Sequence, residues 1–186
     1  MDIVLKISKL TFVFISIYFC IGIASAESEH LVEASCPAAE KLSGSMTPVD
    51  LYSLLPACIN KADYQTAVLV FGLAGIYGKF DTMRVADVTS HQAVGFLKRL
   101  ALDSSQPIQK NAFQKEAGET FDDINRRASL CESINKIGAP TYFPKYMILH
   151  GLNAVNGSNL SNNGLVVPFD AVTAWQQSLT SYLHCN

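Results

Sequence analysis

The chain has 186 residues, 14 Lys and Arg against 16 Asp and Glu, a formal net charge of −2 and 49% hydrophobic residues. That length is one domain's worth and is enough for a real core. The slightly acidic balance, with no basic stripe, argues against nucleic acid as a partner, because phosphate binding needs clustered Lys and Arg.

Residues 1–26 read as an export signal. Lys6 and Lys9 precede a nearly continuous apolar run over 10–23, and Ala24-Ser25-Ala26 is a small-x-small cleavage site. The expected mature chain begins at Glu27, forms a single domain over 27–186, and carries 12 basic and 15 acidic residues. The apolar run is shorter than the ~20 residues of a spanning helix. No later segment is a better candidate: 67–76 is short and holds Gly72 and Gly75, which suits a buried helix. Tyr18 and Phe19 stand before Cys20 where a lipobox needs small residues, so lipidation is not expected.

Export makes Cys36, Cys58, Cys131 and Cys185 candidates for disulfides. Four cysteines allow three pairings, and the sequence alone does not choose among them. The favoured arrangement joins neighbours, Cys36 with Cys58 and Cys131 with Cys185, since each bond then ties a terminal segment to an adjacent helix. Each closed loop is worth roughly 3 to 4 kcal/mol in the chain-entropy model. There is no Cys-x-x-Cys pair, and His30, His91, His150 and His184 show no ligand spacing, so no metal and no other cofactor is expected.

From Thr47 to Tyr182 almost every segment has helical period. Thr47-Pro48-Val49-Asp50 combines a cap, a first-turn proline and an acid three residues after the cap. Leu51, Leu54, Leu55, Cys58 and Ile59 follow as a stripe, with Pro56 expected to kink or restart the helix. Asp63 caps a second helix through Ala67, Leu69, Val70, Phe71, Ala74 and Tyr77, apolar on nearly all sides and therefore the expected central helix. Gly72, Gly75 and Gly78 recur along it. Each costs about 1 kcal/mol in a helix, which close approach of a neighbour would explain.

Thr89-Ser90-His91-Gln92 reads as a capping box before a helix with Ala93, Phe96, Leu97, Leu100 and Ala101 on one face. Residues 104–107 break it. Ile108, Ala112 and Phe113 mark a shorter helix ending near Gly118. Residues 120–123 cap the next, with Ile124, Ala128, Cys131, Ile134 and Ile137 inward before Gly138 and Pro140 stop it. A short sixth helix is expected over 142–152, and an uncharged, Asn-rich surface loop over 151–168. Asp170 caps a last helix with Val172, Trp175, Leu179 and Tyr182 at core spacing. The expected fold is an all-α, disulfide-stabilised, compact bundle of about seven helices.

Asp81, Arg84 and Asp87 lie three residues apart, as ion pairs holding a turn or as a polar network shown to a partner. His91 with Asp87 could imitate a base and its orienting acid, but Ser90 sits on another helical face and no Gly-x-Ser-x-Gly elbow exists, so no catalytic residue is expected. The segment Tyr142-Phe143-Pro144-Lys145-Tyr146-Met147, next to the uncharged loop, suits an interface anchor. Tyr142, Phe143, Lys145, Tyr146, Asn156 and Asn159 are therefore the expected partner-binding residues. Asn156-Gly157-Ser158 and Asn159-Leu160-Ser161 match the glycosylation sequon, which has meaning only in a eukaryotic secretory pathway.

Residues 77–87, His91-Gln92-Ala93, 142–147 and Ser181-Tyr182-Leu183-His184-Cys185 together resemble small exported, disulfide-braced helical proteins of Gram-negative bacteria. The resemblance covers most of the mature chain and implies a periplasmic address. A looser similarity, to periplasmic immunity proteins of type VI secretion effectors, implies a protein partner, namely a toxic effector, and carries no site residue over. The expected function is thus protein binding, not catalysis. A small hydrolase using His91 or His150 and a structural envelope protein are the alternatives.

Overall fold

Alternating caps and apolar stripes over 47–182 build eight α-helices among the described residues, which in this computed structural model are 35–157 and 160–185. They are α1 (Pro48–Asn60), α2 (Tyr64–Arg84), α3 (Ala93–Asp103), α4 (Pro107–Asp122), α5 (Ile124–Ile137), α6 (Lys145–Ile148), α7 (Leu152–Val155) and α8 (Ala171–Tyr182). Three 3-10 turns, Ala39–Lys41, Val88–Gln92 and Ser161–Gly164, complete the order. The fold is an all-α bundle in which the described residues belong to one compact unit, 33–186. The export signal, Cys20 and Asn159 lie outside the described residues.

The caps do what their chemistry dictates. The Thr47 hydroxyl accepts from the Asp50 amide while the Asp50 carboxylate accepts from the Thr47 amide, a complete capping box. Asp63, Asp123 and Asp170 cap α2, α5 and α8. Helix α1 runs through Pro56 without the expected restart, because that proline lies in the last two turns and only one backbone bond is lost. The turn into α2 is tight: Asp63 N–H bonds to Cys58 O and Ala62 N–H to Ile59 O, a Schellman-type stop that places Ala62 at φ 58°. An alanine there bears a left-handed backbone cost that glycine avoids. Ala62→Gly is expected to raise the unfolding free energy by roughly 0.5–1 kcal/mol, read as a higher denaturation midpoint at unchanged m-value.

Helix α2 is the centre. Twelve of its residues are buried, and α1, α4, α5 and α8 all pack on it. Two of its three glycines are explained by close approach: a Cβ at Gly75 would collide with the Tyr182 ring, and one at Gly78 with Val94. At Gly72 the space is ordinary, with Ile134 at 3.5 Å. Tyr77 and Phe80 meet Trp175 at 6.0 and 6.4 Å between ring centres, so the last helix closes the core through its single tryptophan. The disulfides join Cys36 to Cys58 and Cys131 to Cys185, the neighbour pairing. Such bonds suit an oxidising, exported environment. Among the described residues no helix is long and apolar enough to cross a membrane.

Several apolar side chains expected inward face solvent instead. Phe96 and Leu100 are also exposed, because α3 turns Ala93, Val94, Leu97 and Ala101 to the bundle. Ile124 and Val172, in the first turns of α5 and α8, and Ile108 near the start of α4 are exposed as well, as is Ala128, while Leu130 takes the inward place on α5. Helix α4 continues past Gly118, whose absent Cβ would meet nothing within 4 Å. Asp87, and not Thr89, caps the segment before α3, and that segment is a 3-10 turn. The expected sixth helix is two single turns, α6 and α7. The Asn-rich stretch is partly ordered: Val85 and Leu165 form an antiparallel bridge, fixed by Ala86 N–H to Gly164 O and Val166 N–H to Arg84 O.

Candidate functional site

Asp81, on the last turn of α2, has no exposure at all. Its carboxylate accepts from Arg84 Nε at 2.7 Å and from the hydroxyls of Tyr142 and Tyr146, each at 2.8 Å. Arg84 Nη2 also lies 2.7 Å from Oδ1, close enough for Coulomb attraction but not aligned as a hydrogen bond. The guanidinium is sandwiched between the rings of Phe80 and Tyr142, 5.0 Å from each centre. Burial pushes the Asp81 carboxyl above its usual range, and Arg84 and the two tyrosines hold that rise back. Burial likewise drives the hydroxyls of Tyr142 and Tyr146 well above their ordinary value, so both remain donors.

This cluster fastens residues 142–148 to α2. A second clamp fastens the next turn. Asp87, the other acid of the 81–84–87 triplet, points away from the first cluster. It accepts from the Thr89 amide and hydroxyl and from the Asn153 amide, and the Thr89 hydroxyl accepts from the Leu152 amide. The Thr89 hydroxyl bond is the main reason the Asp87 carboxyl is held below the usual range. Gly151 fits here because a Cβ would collide with the Asp87 carboxylate. His91 donates from Nε2 to Val85 O at 2.9 Å, and no hydrogen bond joins its ring to the Asp87 carboxylate among the described residues. His150 stacks on Phe96, 6.3 Å between ring centres.

Held this way, residues 143–155 lie beside α3, joined to it by the Phe96–His150 stack and to the turn before it by the Leu152 amide on Thr89, and the exposed apolar side chains of the two segments make up the candidate face. Phe96 is 56% exposed, Leu152 58% and Val155 74%, and Leu100, Phe143 and Leu149 are each more than half exposed. Of the residues expected to bind a partner, Phe143, Lys145 and Asn156 are exposed near this face. Tyr142 and Tyr146 are turned inward onto Asp81 and position the face instead of forming it, because a buried carboxylate needs donors and only these hydroxyls and Arg84 supply them. The shared helical face of Ala93, Phe96, Leu97, Leu100 and Ala101 does not by itself show that Phe96 and Leu100 are exposed, and Leu149, Leu152 and Val155 carry no such pattern. The available signal was that α3 carries more apolar residues than a single buried stripe requires. The chain matches no protein-family model, no curated protein and no solved structure.

Proposed function

We propose that this is an exported, periplasmic protein that acts by binding another protein, with neutralisation of a secreted toxic effector as its sharpest form. The observation that carries the reading is the apolar face of α3 and 143–155, fixed from beneath by Asp81 and from the side by Asp87. Exposed apolar side chains grouped on neighbouring elements mark interaction sites, and fixing them beforehand lowers the entropy lost on binding.

The test is affinity capture from periplasm with the tagged mature chain, followed by titration of the captured protein. Phe96→Ser with Leu152→Ser is expected to weaken binding by more than ~2 kcal/mol, the hot-spot scale, at unchanged far-UV circular dichroism. Equal binding by the double variant would move the interface elsewhere, and capture of no protein would overturn the reading. Growth protection by the captured protein's coexpressed antagonist, this chain, would establish the immunity form; lack of protection would restrict it to plain binding.

A further inference from the structure

The apolar face has a charge of its own. Residues 88–102 and 142–155 contain Lys98, Arg99 and Lys145 and no acid, in a chain where acids outnumber bases overall. All three cations are exposed, and none has an ion-pair partner among the described residues. Arg99 lies three residues after Phe96 and next to Leu100, so it borders the apolar side chains on their own helical face. Lys145 opens α6 two residues after Phe143. The acids that flank residues 88–102 in sequence, and the one bonded to Tyr142 and Tyr146, have other commitments: Asp87 to Thr89 and Asn153, Asp103 to Lys110 at 3.6 Å, and Asp81 to Arg84.

Resting on the protein-binding reading above, we infer that the partner is a protein whose contacting surface sets apolar side chains inside a rim of Asp and Glu carboxylates, received by Arg99 and Lys145. An apolar centre with a charged rim is the ordinary anatomy of a protein interface. Rim charges of one sign select partners of the opposite sign and speed their approach. An anionic lipid surface fits less well. The face is assembled from α3 and two single-turn helices and is not one in-plane amphipathic helix, and its three cations fall short of the clusters of about four to eight that mark lipid headgroup binding.

The experiment places a photo-crosslinker on the face, Phe96→p-benzoylphenylalanine, in the full chain expressed in its host. The crosslinked protein is identified, purified and titrated against wild type, Arg99→Glu with Lys145→Glu, and Phe96→Ser. The expected results are a loss of at least about tenfold in affinity on charge reversal and a fall in wild-type affinity between ~50 and ~500 mM salt. Binding lost with Phe96→Ser but indifferent to charge reversal and to salt would overturn the acidic rim while sparing the protein-binding reading. No crosslinked protein, or binding unaffected by Phe96→Ser, would remove both. Association with phosphatidylglycerol vesicles in place of a protein would overturn the inference in favour of a lipid surface.

Discussion

Arg84→Met is expected to lower the unfolding free energy by roughly 3–5 kcal/mol at neutral pH, because it leaves the Asp81 carboxylate buried without its cation. The loss should shrink on acidification. The Asp81 pKa is already above its ordinary 3.8 in the folded state, and removing Arg84 raises it further. A carboxyl whose folded pKa exceeds its unfolded one contributes its full stability below the unfolded value and loses it as pH rises through the folded one. The variant therefore approaches wild type near pH 4 and falls behind toward pH 7. Urea titrations at several pH values check this; a deficit independent of pH would show that Arg84 acts by packing on Phe80 and Tyr142 and not by charge. The double change Asp81→Leu with Arg84→Met should recover most of the loss, since a buried ion pair can be exchanged for apolar groups at little net cost.

Removing the disulfides has the largest expected effect. With sequence separations of 22 and 54 between their cysteines, the chain-entropy model assigns about 3 and about 4 kcal/mol. Their sum is comparable with the whole stability of an ordinary domain. Cys131→Ser with Cys185→Ser is expected to lower the melting temperature by on the order of 10 °C. Full reduction should take the chain close to unfolding at 37 °C. Thiol labelling under denaturing conditions without reductant should find none of these four cysteines free, and a reduced protein that melts unchanged would refute a stabilising role.

The architecture was largely legible in the sequence because its signals are local. Thr47, Asp63, Asp123 and Asp170 announce helix starts through chemistry completed within three residues, and the all-round apolar character of 67–80 marks α2 as central. The functional face was less legible because burial is decided between elements. Phe96 and Leu100 have the period of core residues yet stay more than half exposed, because among the described residues the bundle packs on the Val94–Leu97–Ala101 side of α3 and only His150 covers Phe96. Tyr142 and Tyr146 have the composition of an interface anchor and are drawn inward by an acid more than sixty positions earlier. The triplet at 81, 84 and 87 divides because α2 ends after Arg84, which sends Asp87 to a different task.

Each of the four described cysteines pairs with its neighbour among them, Cys36 with Cys58 and then Cys131 with Cys185. In a polypeptide that enters an oxidising compartment N-terminus first and loses the expected signal, which carries Cys20, the thiols of Cys36 and Cys58 meet before Cys131 has emerged. An oxidase that simply joins cysteines in order of arrival then makes the native set, with no wrong bond for an isomerase to undo. Under export of that kind, the connectivity would free maturation of this chain from the proofreading that interleaved disulfides demand.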